Sequence, residues 1–162
     1  MTVNGQQYAY DVNGNMTKDL SRSIQSVEYN MLNLPRQITF SDGSTITNMY
    51  DADGRKLRTT RNIVIGGTTT SNVTDYCGDL ILEQGIPSRI LTGYGYASIT
   101  SLSSNQWTPT AASYSYYIKD HLGSVRIVAN SSGSVQQKNT YYAFGGLMSD
   151  QCTSFGVQQN KF

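Results

Sequence analysis

The sequence predicts an all-β fold in which successive antiparallel β-hairpins form a long curved sheet. Three observations predict it. Tyrosine is frequent, with 12 among 162 residues, and Thr, Ser, Ile and Val fill much of the remainder; such residues suit a pleated surface. No window shows the periodicity of an amphipathic helix, whereas short apolar alternations bounded by Gly, Asn, Asp and Ser recur. A tyrosine-centred segment also repeats, at Tyr10, Tyr29 and Tyr50, a spacing of about twenty residues typical of stacked units.

Taken in order, Tyr10-Asp11 is followed by Asn13-Gly14, Tyr29-Asn30 by Asn33-Leu34-Pro35, and Tyr50-Asp51 by Asp53-Gly54. The tyrosine ends a strand with its ring on the core face. The Asp bonds its own backbone two residues on, and the Gly accepts positive φ. Between Pro35 and Tyr50 a further hairpin turns at Asp42-Gly43. From Lys56 the pattern loosens: a long hairpin turns at Gly66-Gly67, and Tyr76-Cys77-Gly78 is a degenerate copy of the tyrosine site. Leu80, Ile81 and Leu82 read as a strand covered on both faces. A hairpin turn is expected at Gly85-Ile86-Pro87, and residues 101–112 read as a loop with Trp107 pinned over the core.

The stretch from Tyr116 to Gly145 reads as strand, turn, strand, turn, strand. Asp120 and Gly123 bracket the first turn, and Ser131-Ser132-Gly133 makes the second, with Gly133 at the left-handed position and Ala129 opposite Val135. Val125, Ile127 and Ala129 alternate with Ser124, Arg126 and Asn130, the period of a half-buried strand.

Composition excludes several classes of function. A formal net charge of +1 gives no electrostatic case for nucleic acid. No apolar run is long enough for a membrane span, and the first residues lack the apolar core of a signal peptide. With only 14% charged residues, the polar surface is Ser, Thr, Asn and Gln, which suits an extracellular β protein. The missing signal then implies an excised piece of a longer chain. Cys77 and Cys152 cannot make a structural zinc site, and a count of two leaves open whether they pair.

Asp120-His121-Leu122-Gly123-Ser124-Val125-Arg126, followed by Asn130, Gly133, Val135, Tyr141, Tyr142, Phe144 and Gly145, resembles the signature of the RHS repeat-associated core. That segment follows arrays of YD repeats in bacterial RHS and YD-repeat proteins. The Tyr-Asp pairs with Gly14 and Gly54 resemble the YD repeat itself. The resemblance is strong at 8–60 and 116–145 and weak between. It divides one continuous domain into YD-repeat-like hairpins at 1–60, degenerate hairpins and a loop at 61–112, and a core segment at 113–162.

The resemblance implies a sheet forming part of a spiral YD-repeat shell, in a secreted or surface protein, with the rest of the parent and its C-terminal effector as partners. Exposed sheet edges would permit self-association. Some RHS proteins cleave themselves at an aspartate near the end of the core; that motif would lie beyond Phe162, and the activity is not carried over.

The residues themselves offer little chemistry. His121 is the only histidine, and Asp120 beside it would point the other way on an extended strand, so the pair reads as a turn. An EF-hand loop with Gly54 in sixth place would need an acid at Met49 and a Glu at Thr60; for Gly14 the positions are Ala9 and Leu20. Both fail. Asn15, Asn72 and Asn130 begin Asn-x-Ser/Thr triplets, which a chain so rich in Ser and Thr holds by chance. The expectation is a non-enzymatic structural segment with no cofactor and no metal. The alternative is an adhesin-like module binding glycan or protein through exposed Tyr and Asn, and a hydrolase would need a nucleophile beside His121.

Overall fold

The computed structural model describes residues 2–3, 6–102, 109–143, 145, 147–148 and 153–154. The first eight strands are β1 (Thr2–Val3), β2 (Gln6–Tyr10), β3 (Met16–Asp19), β4 (Ile24–Tyr29), β5 (Pro35–Phe40), β6 (Thr45–Tyr50), β7 (Lys56–Ile65) and β8 (Thr68–Cys77). They are followed by β9 (Leu80–Glu83), β10 (Ile86–Thr92), β11 (Gly95–Leu102), β12 (Pro109–Lys119), β13 (Val125–Asn130), β14 (Val135–Lys138) and β15 (Thr153–Ser154). A single 3-10 turn, Leu20–Arg22, lies between β3 and β4. Thirteen of the described strands have four residues or more, and the fold is all-β, built of successive antiparallel hairpins.

The chain forms two compact units. The first holds Met1–Gly78 with Leu82–Gly85, and the second holds Asp79–Ile81 with Ile86–Phe162. In the first, β1 to β8 each pair antiparallel with their neighbours in sequence. In the second, β10 to β15 do the same. The long hairpin of β7 and β8 closes at Gly66-Gly67, both at positive φ, and holds register from Arg58↔Asp75 to Ile65↔Thr68.

Among the described residues neither unit buries a large apolar core. The buried apolar residues among them are Val27 and Leu82 in the first unit, and Ile81, Ala97, Val125 and Val128 in the second. Buried polar residues are as numerous: Asp19, Ser44, Asn48, Thr59, Ser115, Gln137 and Asn139. Most are tied by side-chain hydrogen bonds, as buried polar groups must be. Ser44 Oγ, for example, accepts the Val64 N–H at 3.0 Å. The backbone ladder and these side-chain bonds therefore carry much of the order.

Three expectations are corrected. Residues 101–112 are not one loop: β11 runs to Leu102 and β12 starts at Pro109, with Ser101 opposite Ala111 and Leu102 opposite Pro109 across bulges. A Ser/Thr-rich sequence pairs as readily as an apolar one when a partner strand lies beside it. Residues 103–108, including Trp107, lie outside the described residues. The turn expected at Gly85-Ile86-Pro87 falls one residue earlier, at Gln84 and Gly85, both at positive φ; Ile86 and Pro87 are the first two residues of β10.

The third correction concerns β13. Its fully buried residues are Val125 and Val128, three apart, in place of the alternating Val125, Ile127 and Ala129. The register gives the reason. Ile118 faces Ile127 but Lys119 faces Val125, so Arg126 is an extra residue that shifts the alternation by one. Ala129 does lie opposite Val135, and Leu80 to Leu82 do sit in a strand, with adjacent Ile81 and Leu82 both buried.

Candidate functional site

Five turns share one hydrogen-bonding scheme: Asp11 to Asn15, Asn30 to Leu34, Asp51 to Arg55, Asp120 to Ser124 and Asn130 to Ser134. In each, the N–H of the first residue donates to the carbonyl of the fifth, and the N–H of the fourth donates to the carbonyl of the first. The side-chain Oδ1 of the first residue accepts the N–H groups of the third and fifth, at 2.8 to 3.1 Å. The fourth residue is left-handed: Gly14, Asn33, Gly54, Gly123 and Gly133, with φ from 56° to 87°. A short side-chain acceptor in first place and Gly or Asn in fourth are what this geometry requires. Two residues past the turn, an extra residue bulges the returning strand: Thr17, Arg36, Leu57, Arg126 and Gln136.

Where the first residue is Asp, its second oxygen has a donor. Asp11 Oδ2 accepts from Asn15 Nδ2, Asp51 Oδ2 from Arg55 Nε at 2.9 Å, and Asp120 Oδ2 from Arg126 Nε at 2.8 Å. All three carboxyls lie below their ordinary pKa. The Asn15 amide is the main cause at Asp11, and the Arg55 N–H at Asp51. At Asp120 burial opposes the charge, but Arg126 and the turn N–H groups outweigh it. The bulge places Arg126, whose guanidinium also lies 5.4 Å from the centre of the Tyr141 ring.

Consecutive hairpins are bridged by tyrosine. Tyr29 donates to the Met16 carbonyl at 2.8 Å, Tyr50 to the Pro35 carbonyl at 3.1 Å, and Tyr141 to the Val125 carbonyl at 3.0 Å. Each acceptor is the residue just after a five-residue turn and just before its bulge. Two residues before Tyr50 and Tyr141 stand Asn48 and Asn139, whose amides donate to the same Pro35 and Val125 carbonyls. Burial raises the Tyr29 phenol, helped by the Asp11 charge, and burial alone raises Tyr50, so both hydroxyls stay protonated as donors. In the first unit the turns also touch one another. Asn13 and Asn15 donate to Asn33 Oδ1, and a Cβ on Gly54 would lie 3.1 Å from Leu34 Cδ1.

The structure distributes the residues singled out from sequence as follows. Tyr29 and Tyr50 are half-buried bridges, whereas Tyr10 is 54% exposed and does not present its ring to a core. Asp11, Asn30, Asp51 and Asp120 open turns, and Gly14, Gly54, Gly123 and Gly133 fill their left-handed positions. Tyr142 and Gly145 form a related turn, in which the Gly145 N–H donates to the Tyr142 carbonyl; Phe144 lies outside the described residues. His121 is exposed at a turn tip while Asp120 faces Arg126 and the turn backbone. Cys77 is a free exposed thiol; Cys152 lies outside the described residues. Among the described residues no three His, Cys, Asp or Glu side chains gather as a metal site, and no helix is long and apolar enough to cross a membrane.

Asn130, read from sequence as a strand and signature residue, proves to be the turn-opening equivalent of Asp51, and the bridging Asn48 and Asn139 were not singled out from sequence. The pattern Asp/Asn-x-x-Gly/Asn, without its tyrosine, would have found the first.

No family model matches the chain, and no curated protein sequence matches it. Solved structures do share its fold. In a crystal structure of TcdB2-TccC3 the match has a TM-score of 0.68 at 14% identity, covering 91% of this chain and 8% of that one. The TcdB2-TccC3-Cdc42 structure gives 0.67 at 14% identity with the same coverage. The Tc holotoxin pore of Photorhabdus luminescens gives 0.58 at 13% identity, covering 93% of this chain and 10% of that one. The chain therefore spans about a tenth or less of the chains whose fold it shares.

Proposed function

We propose that this chain is a non-enzymatic wall segment of a larger RHS/YD-repeat protein, secreted or displayed at a cell surface, whose β-shell encloses or delivers a C-terminal effector. The fold likeness to TcdB2-TccC3 over nine-tenths of the chain is the observation that supports this reading. The repeated turn supplies the mechanism: five hairpins are closed by an Asp or Asn in first place, and at three of them a tyrosine of the following hairpin bridges back, so the sheet lengthens by like units. Its partners are then the rest of the parent protein and the effector. The test is protease protection of a tag fused to the C-terminal segment of the longer protein carrying this chain. Resistance until the shell is denatured is expected; cleavage of the native protein at the rate of the denatured one would overturn the reading.

A second reading, an adhesin-like module, is favoured by one observation. Tyr114, Tyr116 and Ile118 lie on one face of β12 and are 53%, 48% and 54% exposed. Glycan or protein binding lost on joint Tyr114→Ala and Tyr116→Ala substitution would support it.

A further inference from the structure

Two of the three tyrosine bridges, at Pro35 and Val125, occupy the same place relative to the ladder, and on β7 and β8 no tyrosine stands in that place. On β5 and β6 the last registered pair is Gln37↔Thr47; the acceptor Pro35 lies two residues before Gln37 and the donor Tyr50 three residues after Thr47. On β13 and β14 the pair is Ile127↔Lys138; Val125 lies two before Ile127 and Tyr141 three after Lys138. In both cases the asparagine stands one residue past the pair, at Asn48 and Asn139.

On β7 and β8 the corresponding pair is Arg58↔Asp75. Two residues before Arg58 is Lys56, the residue that follows the Asp51 turn, in the place of Pro35 and Val125. Three residues after Asp75, where a tyrosine would stand, is Gly78, and Tyr76 takes the asparagine's place. A Cβ at Gly78 would meet nothing within 4 Å. The surface there opens into a notch of about 440 Å³, lined by Asp51, Arg55, Lys56, Leu57, Tyr76, Cys77 and Gly78. The Asp51 carboxylate is already held by Arg55 and its own turn, and the Lys56 ammonium lies 5.8 Å from the centre of the Tyr50 ring. The notch thus has the register of a bridge site, with Lys56 in the acceptor's place and no phenol to meet it.

We propose that this notch binds a tyrosine side chain carried by another polypeptide segment, with the ring in the space Gly78 leaves and the hydroxyl on the Lys56 carbonyl. The chain's own sites define the occupant. Three equivalent carbonyls, at Met16, Pro35 and Val125, are each met by a tyrosine hydroxyl. A phenylalanine would fill the space without the donor, and an ionic group would find Asp51 and Arg55 already paired. The inference is independent of the shell reading.

Cys77 lines the notch and reports on it. The protein would be alkylated with iodoacetamide in the presence of N-acetyl-tyrosinamide or N-acetyl-phenylalaninamide, and peptide mapping would score Cys77 and Cys152 separately. A fragment of this size is expected to bind with a Kd in the millimolar range. At about ten times Kd the tyrosine probe should slow Cys77 alkylation roughly tenfold, leave Cys152 unaffected and outperform the phenylalanine probe by several-fold. No slowing of Cys77, equal slowing by the two probes, or parallel slowing of Cys152 would each overturn the proposal.

Discussion

The Tyr50 hydroxyl donates to the Pro35 carbonyl at 3.1 Å, and the Asn48 amide donates to the same oxygen at 2.9 Å. Asn48 in turn accepts from Thr59 Oγ1 at 2.9 Å. One carbonyl beside a bulge is thus met by two side chains, and the second of them reaches on to the next strand. The arrangement returns at Val125, with Asn139 and Tyr141. Buried polar groups placed in this way are satisfied in one register only, so they fix how one hairpin meets the next.

The Met16 bridge is simpler, and that difference is testable. Two residues before Tyr29 is Val27, which has no donor to share the load. Tyr50→Phe leaves Asn48 on the Pro35 carbonyl and should cost at most about 0.5 kcal/mol, whereas Tyr29→Phe should cost about 1–2 kcal/mol, the usual loss for a donor withdrawn from a half-buried acceptor. Urea unfolding of the two variants would rank them. Equal losses would mean that the asparagine contributes nothing at Pro35.

The Asp and Asn turns should part company in acid. The carboxyls of Asp11, Asp51 and Asp120 have folded pKa values below the ordinary 3.8. Their contribution is therefore fully present above that value and is lost as pH falls through the lower folded one. Asn30 and Asn130 hold the same two N–H groups without titrating. Hydrogen-exchange protection at Arg55 and Ser124 is expected to fall as the pH drops below about 4, while Leu34 and Ser134 keep theirs. A simultaneous loss at all four would point to global unfolding instead.

These turns also show how far a sequence can be read. Turn chemistry is local, and an Asp or Asn with Gly three residues later states its geometry within five residues, so Asp51 and Gly54 are readable where they stand. The turn role of Asn130 escaped because attention to Tyr-Asp pairs gave weight to a residue that the turn does not use: Lys119 and Ala129 take the tyrosine's place before Asp120 and Asn130. The bridges join residues 13 to 16 positions apart, and no local pattern says which carbonyl a tyrosine will meet. Bulges are equally silent. A single extra residue at Arg126 was enough to move burial from Ile127 to Val128.

Two glycines at positive φ differ in the steric cost of a side chain. At Gly95 a Cβ would run into the backbone carbonyl of Ser115 on the paired strand, whereas at Gly133 it would meet nothing within 4 Å and only the positive φ of 82° opposes it. Gly133→Ala should cost about 1–2 kcal/mol, the left-handed penalty alone. Gly95→Ala must push β11 from β12 and should exceed about 3 kcal/mol. Thermal melts would show the order, and a milder effect at Gly95 than at Gly133 would mean that the two strands separate easily.

Asp120 and His121 are neighbours with opposite expectations. His121 occupies the second position of its turn, where none of the five turns uses a side chain in the shared scheme, and it is exposed. His121→Ala should change stability by less than about 0.5 kcal/mol, as for a surface site without a structural partner. Asp120→Ala removes the acceptor for the Leu122 and Ser124 N–H groups and the anion facing Arg126, and it should lower the melting temperature and increase exchange at Ser124. Asp120→Asn keeps the acceptor for the two N–H groups, as Asn130 does, but sets an amide against Arg126. It should fall between wild type and the alanine variant, and it should lose the salt sensitivity that the ion pair gives the parent. If Asp120→Asn melts with Asp120→Ala, the Arg126 contact outweighs the turn; if it melts with wild type, the turn alone accounts for the aspartate.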